Sequence, residues 1–169
     1  MKRILFCLLL VAACLNCSAQ SIEKRYSSTI TNQGTIHFFR PKKLGKVDNM
    51  DSFSFDMTYL AGRDSLTLNC SIALTSEAMV NTLAMKSEGM TVEGHQLHML
   101  FRDVTKKGYV LRVSSVFAYK DIKALFAKTT PLVFQVTLSN GQTCTATYKD
   151  SQWKHESEQV TRIFNSFIY

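Results

Sequence analysis

Residues 51–74, with the sequence DSFSFDMTYLAGRDSLTLNCSIAL, contain two runs in which apolar and polar side chains alternate. A period of two places every second side chain on the same face of a β-strand. A Gly-containing turn at residues 61–64 joins the two runs, so this stretch predicts an antiparallel hairpin with one buried face. Cys70 falls on the apolar register of the second run, and its thiol is therefore expected to point into the core.

Two further hairpins are predicted downstream, because alternating side chains flank the turns at residues 106–108 and 140–141. The second of these turns is Asn-Gly, a dipeptide that tolerates the positive φ angles of a two-residue type I′ turn. A two-residue turn pairs Thr137 with Cys144, on the face opposite to Phe134. Which of these two faces is buried stays open at this point.

One helix is predicted after each hairpin. Residues 75–89 begin with Thr-Ser-Glu, a capping pattern, and end at Gly89, and their apolar face contains Met79, Val80 and Leu83. Residues 118–128 predict a second, short helix. The last helix begins at Asp150 or Ser151, and its apolar residues follow the spacing of an amphipathic helix: Val160, Ile163, Phe164 and Phe167.

These elements predict an α+β fold. In it, an antiparallel β-sheet is built from three successive units of a β-hairpin plus a helix, and the C-terminal amphipathic helix packs on the sheet. A β-sandwich with terminal helices is the alternative, because tight turns join most of the strands. A short strand that ends at Pro41 precedes the units. The predicted organisation is a signal peptide at 1–19, a flexible N-terminal lead-in at 20–34 and a single α+β domain at 35–169.

The first twenty residues have the features of a secretory signal peptide. Lys2 and Arg3 are followed by an uncharged apolar run at residues 4–15, and the small residues 17–19 form a cleavage site before Gln20. The apolar run is shorter than the roughly 20 residues that a membrane-spanning helix needs. We therefore predict export to the periplasm or the exterior, with no transmembrane segment in the mature chain.

The leader also contains a second cleavage pattern. Residues 11–14, Val-Ala-Ala-Cys, resemble the lipobox of bacterial lipoproteins, in which the cysteine carries a lipid. This resemblance implies an alternative in which Cys14 anchors the protein to the envelope. It covers only the leader and indicates no family for the rest of the chain.

The net charge of the chain limits the classes of molecule that it is expected to bind. The sequence has 20 Lys and Arg against 13 Asp and Glu, a net charge of +7, and only two of these cations lie in the leader. A basic exported protein meets anionic envelope components and acidic proteins before it meets nucleic acid. The predicted partner is therefore an envelope or secreted protein, or an anionic envelope component, and not a nucleic acid.

Cys70 and Cys144 are the only cysteines outside the leader. An even pair in an oxidising compartment predicts one disulfide, and two buried free thiols are the alternative. Neither cysteine lies in a C-x-x-C motif or at a spacing typical of zinc ligands. No metal and no cofactor are predicted.

None of the sequence motifs typical of catalytic sites is present, and no catalytic residue is predicted. The favoured function is a protein-binding module, such as an inhibitor or an immunity-like partner. Its candidate binding residues are Tyr26, Phe39, Arg40 and Lys42. One alternative is a carrier of a lipid or another apolar ligand, and another is an enzyme of unfamiliar type, which would need His37 beside an acidic residue such as Asp56.

Overall fold

Two antiparallel β-sheets and two helices make up the computed structural model, which describes residues 24–167. The predicted signal peptide at 1–19, including Cys14, lies outside the described residues. Strands account for 58% of the structure and helices for 17%. The elements are β1 (Tyr26–Thr31), β2 (Gly34–Lys43), β3 (Lys46–Asp48), β4 (Ser52–Leu60), β5 (Ser65–Leu74), β6 (Val80–Ser87), β7 (Met90–Glu93), β8 (His95–Thr105), β9 (Gly108–Ala118), α1 (Tyr119–Phe126), β10 (Val133–Leu138), β11 (Thr143–Thr147) and α2 (Asp150–Ser166).

The larger sheet has six strands in the order β1-β2-β4-β5-β9-β8, and the smaller has five in the order β3-β11-β10-β6-β7. The two sheets face each other through aromatic side chains. The ring centroids of Phe53 and Phe55 on β4 lie 5.1 and 4.6 Å from that of Phe134 on β10. The core therefore lies between the sheets, as in a β-sandwich.

The prediction of three hairpin-helix units is wrong. An α+β fold with a sandwich-like arrangement describes the molecule better, because residues 80–87, predicted as part of a helix, form strand β6. This strand pairs with β10 on one side and β7 on the other. Glu88 and Gly89 have φ angles of 46° and 75°, so Gly89 is a turn residue and not a helix stop.

The predicted hairpins β4–β5, β8–β9 and β10–β11 are present, but the register predicted for the last one is wrong by one residue. Val136 and not Thr137 lies opposite Cys144. The loop contains three residues, 139–141, and Gly141 occupies the left-handed region at φ 82°. This register places Cys144 on the same buried face as Phe134, which resolves the choice that the sequence left open.

The described part of the predicted lead-in at 20–34 contains a strand. Residues 26–31 form β1, which pairs with β2 along its whole length. Strand β2 continues past Pro41, and its pairing with β4 shifts between Phe39 and Lys42. Because proline has no backbone N–H, a bulge is a position in a sheet where it is tolerated.

The two helices pack against each other and close one side of the sandwich. Trp153 of α2 stacks against Phe126 of α1 and donates a hydrogen bond of 3.1 Å from Nε1 to the Lys128 carbonyl. Phe164 of α2 contacts Phe39 on the inner face of β2. The C-terminal helix thus covers a part of the larger sheet that the smaller sheet leaves open. Neither helix within residues 24–167 is long and apolar enough to cross a membrane.

Candidate functional site

A small cavity of about 30 Å³ lies where α2 crosses the inner face of β2 and β4. Lys42 lies opposite Phe55, whose side chain is buried, so the lysine stands at the inner margin of the sandwich. We call the surface around this cavity the basic cleft and define it by six of the lining residues: Arg25, Arg40, Lys42, Tyr148, Glu156 and Gln159.

Glu156 is the centre of the basic cleft, and it is only 4% exposed. Its Oε1 atom accepts a hydrogen bond of 2.6 Å from Lys42 Nζ and another from Arg25 Nη2. A carboxylate removed from water needs such partners, because an unpaired buried charge is strongly destabilising. The two ion pairs therefore attach helix α2 to β2 and to the residue that precedes β1.

Two neutral groups complete the floor of the cleft. Tyr148 is buried, and this burial raises the pKa of its phenol, an effect that the negative charge of Glu156 reinforces. Gln159 is 8% exposed, and its Oε1 atom has no hydrogen-bond partner within residues 24–167. Most buried polar atoms in proteins are satisfied, so this amide is an exception that needs a donor.

The structure brings together three of the four predicted binding residues. Phe39, Arg40 and Lys42 all line the cavity, and Tyr26 lies opposite Phe39 on β1, with 6.4 Å between ring centroids. However, Phe39 is buried and Tyr26 packs against it, so the two aromatic rings do not form an exposed patch. Arg40 is exposed, and it forms no ion pair within the described part of the chain.

The sequence reasoning missed Arg25, Tyr148, Glu156 and Gln159. A signal for two of them is present in the helix. Glu156 and Gln159 lie three and six residues after Trp153, on the stripe that continues to Ile163, and all four are buried. A glutamate on the apolar stripe of an amphipathic helix indicates a buried ion pair, because burial without a partner is too costly.

The structure does not bring His37 and Asp56 together. The ring of His37 stacks on Phe167 and Tyr59 on the inner face of the larger sheet. Asp56 lies on the outer face, between the buried Phe55 and Met57. Its carboxylate accepts hydrogen bonds from Arg112 and Asn69. The minimum arrangement for the enzyme alternative is therefore not formed by these two residues.

Two depressions bear on the carrier alternative. The cavity in the basic cleft has room for a group of about the size of one or two water molecules. A second depression of about 330 Å³ is open at the β6–β7 turn, and its lining includes Lys86, Glu88 and Thr130. Neither combines the size and the apolar lining that an acyl chain needs.

Cys70 and Cys144 are both free and buried, and the disulfide predicted between them is not formed. Cys70 lies within the larger sheet, opposite Phe55 and Val113. Cys144 lies in the smaller sheet, and its thiol donates a hydrogen bond of 3.0 Å to the Asn49 carbonyl. Burial raises the pKa of both thiols, and most strongly that of Cys70.

A different surface is formed by β8, which is an edge strand of the larger sheet within the described residues. Leu100, Phe101 and Val104 are 52%, 46% and 67% exposed, and we call these three residues the β8 apolar edge. They lie on an eleven-residue strand at the end of the larger sheet. The edges of the smaller sheet are the much shorter β3 and β7, with three and four residues.

The described residues contain no group of three or more His, Cys, Asp or Glu side chains that could hold a metal ion. Comparisons of the chain with protein-family models, with curated proteins and with solved structures found no match.

Proposed function

We propose that this chain is an exported protein-binding module that pairs an extended segment of a partner protein with strand β8. The observation that carries the proposal is the β8 apolar edge, where three large hydrophobic side chains stand on a strand with no neighbour on its outer side in the described chain. A free edge offers backbone donors and acceptors to an added strand, and its side chains supply specificity.

The length of the free edge supports this assignment. Natural proteins protect sheet edges by keeping them short, charged or covered, because a long apolar edge pairs readily with other chains. The smaller sheet follows this rule, whereas β8 has eleven residues. Its pairing with β9 shifts at two places before Phe101, and the segment from Phe101 to Thr105, which includes the exposed Val104, is regular. Exposed apolar side chains grouped on one strand favour a binding role for this edge.

The charge beside the edge indicates the chemistry of the partner. Lys106 and Lys107 form the turn that follows β8, and neither forms an ion pair within residues 24–167. Arg102, by contrast, is paired with Glu77 at 2.5 Å. The partner segment we expect alternates apolar side chains and carries an acidic residue where it reaches the turn.

Export is part of the same proposal. The charged start, the apolar run and the small residues before Gln20 support it, and lipid attachment at Cys14 is the second candidate for how the protein is held in the envelope. The enzyme and carrier alternatives draw no specific support from the geometry described above.

Site-specific photo-crosslinking in the native envelope tests the proposal. A photoreactive phenylalanine analogue is placed at residue 104 and, as a matched control, at Ile30 on the opposite edge strand, which is 86% exposed. We expect residue 104 to crosslink one protein through a segment that alternates apolar residues. With the analogue kept at residue 104, the substitutions L100K and F101K together should abolish this product, while I30K should not.

Three outcomes would contradict the proposal. The crosslink could survive the double substitution, it could form equally well from residue 30, or it could join two copies of this chain. The same purified sample also tests export, because its amino terminus should lie at Gln20. A diacylated Cys14 would favour the lipid-anchored form, and an intact Met1 would refute processing of the leader.

A further inference from the structure

We propose that β8 selects a partner segment in which a lysine or arginine lies between two apolar residues, and that Asp103 is the side chain that recognises the basic residue. This inference rests on the function proposed above, because it assigns a sequence preference to the same strand. The part of β8 that carries it is the segment from Phe101 to Thr105, which pairs with β9 without a shift in register.

The outer face of this segment carries Asp103 beside an apolar ring. Asp103 lies two residues after Phe101, on the same side of the strand. It is exposed, it is the one carboxylate on β8, and it forms no ion pair within residues 24–167. The cation that β9 contributes to this face, Arg112, binds Asp56 and Ser71 instead. The charge of Asp103 therefore faces whatever strand pairs with β8.

The inner face of the segment carries apolar surface and a cation that already has a partner. Arg102 and Val104 lie opposite Leu111 and Tyr109 of β9. The guanidinium of Arg102 pairs with Glu77 at 2.5 Å, and its central carbon lies 5.0 Å from the centroid of the Tyr109 ring. Val104 is 67% exposed. Because the charge of Arg102 is already balanced, apolar side chains of the partner suit this face better than acidic ones.

A strand that pairs with β8 meets both faces in turn, because its successive side chains alternate between them. Its positions opposite Arg102 and Val104 flank one position opposite Asp103. Side chains directly opposite each other in paired strands have Cβ atoms about 4.5–5.5 Å apart, and at this distance opposite charges stabilise the pair and like charges destabilise it. Lysine or arginine is therefore favoured opposite Asp103, and its long side chain can also cover the ring of Phe101, its diagonal neighbour.

Selection from a phage-displayed library of random peptides tests this inference, with the chain from Gln20 onward as the immobilised protein. We expect the parent to enrich peptides that have a basic residue between two apolar residues. D103K should enrich an acidic residue at the same position, because the charge that faces it is reversed. D64K is the matched control, since Asp64 is also exposed and lies beside the opposite end of β9. This control should enrich the same peptides as the parent.

A synthetic peptide from the parent selection gives the size of the effect. Replacing its basic residue with glutamate should weaken binding to the parent about fivefold and strengthen binding to D103K. Because Asp103 is exposed, D103K should keep the unfolding transition of the parent.

Two kinds of failure are distinguishable. If the parent and D103K enrich the same peptides, and L100K together with F101K abolishes their binding, the sequence preference is overturned while the proposed role of β8 stands. Peptides that bind this double variant as well as they bind the parent do not use β8. That result would overturn the inference and count against the proposed function, as would a selection that enriches no peptide.

Discussion

Glu156 shows how a single side chain determines the attachment of an element. Its oxygen is shared by Arg25 and Lys42, which are 131 and 114 residues away in the chain. Both cations keep partial contact with solvent, so the pairs are worth less than a fully buried pair. Removing the carboxylate would nevertheless leave the positive charges of Arg25 and Lys42 without a negative partner. Helix α2 would also lose its ion pair with β2.

His37 is the residue whose charge should most directly affect how the C-terminal end of α2 packs. Its ring lies 3.9 Å from the Phe167 ring between centroids, and burial lowers its pKa from the ordinary value of 6.5. The folded state thus prefers neutral imidazole. The unfolded chain binds more protons in the pH range just below 6.5, so stability should fall as the pH drops through that range.

Urea unfolding of the parent and of H37Q at about pH 7.5 and about pH 5.5 measures this effect. The parent should lose more stability between the two pH values than H37Q does, because the variant lacks the titrating ring. Carboxylates that titrate nearby act on both proteins and cancel in the comparison. An equal loss in the two proteins would show that His37 does not contribute.

At the scale of elements, the connection between the two sheets passes through Gly94, where the backbone lies close to the side chains of Ser115 and Phe117. This residue follows β7 of the smaller sheet and precedes β8 of the larger one, and its N–H donates to the Leu83 carbonyl at 2.8 Å. A Cβ atom at this position would lie 2.3 Å from Ser115 Oγ and 2.7 Å from Phe117 Cζ. Both neighbours are fully buried and have little room to move.

The substitution G94A should therefore lower the free energy of unfolding by about 2 kcal/mol, as overpacking in a core does. G45A is the matched control, because a Cβ at Gly45 meets only the flexible end of Lys149. That change should stay within about 0.5 kcal/mol of the parent. Chemical denaturation of both variants measures their free energies of unfolding. A similar decrease in the two would show that the structure around residue 94 shifts enough to accept the added methyl group.

At the scale of the whole molecule, the two sheets are held by side-chain packing, and no disulfide links them in the described residues. The interface includes Phe53, Phe55 and Phe134, together with Tyr148. Burial of these large aromatic side chains contributes to the stability of the core, together with the aliphatic residues around them. Cys70 and Cys144 behave in this core as small apolar residues.

Alkylation of the chain without residues 1–19 should reveal two free thiols. In the folded protein both should react slowly, because they are buried and burial raises the pKa of each. In urea without reductant, both should be alkylated rapidly, as mass spectrometry would show. A denatured chain that takes up alkyl groups only after reduction would establish a disulfide and contradict the structure.

Local sequence reasoning succeeded where the signal was carried by neighbouring residues. The alternation at Phe53 to Leu74 predicted a hairpin and the buried position of Cys70, and the spacing of Val160, Ile163 and Phe164 predicted α2. The prediction failed at residues 80–87, where Val80 and Leu83 fit the spacing of a helix as well as the inner face of a strand. Pairing with β10 decided between them, and local propensity does not encode that partner.

The candidate site was predictable only in part, for the same reason. Phe39, Arg40 and Lys42 were selected as a local cluster of aromatic and basic residues, and they do line one cavity. Their partners Tyr148, Glu156 and Gln159 lie more than one hundred residues later. No local sequence pattern connects such distant segments. The ion pairs of Glu156 and the unpartnered amide of Gln159 can therefore be identified only from the packing of α2 on β2.

The sequence by itself determined the three β-hairpins, the apolar faces of β4 and β5 and the amphipathic C-terminal helix, because period and turn residues act over a few neighbouring positions. Only the tertiary structure decided the division into two sheets, the strand conformation of residues 80–87, the separation of Cys70 from Cys144 and the basic cleft around Glu156. These features depend on contacts between segments that are far apart in the chain. Such contacts stabilise the protein only after the intervening chain has folded and brought the segments together.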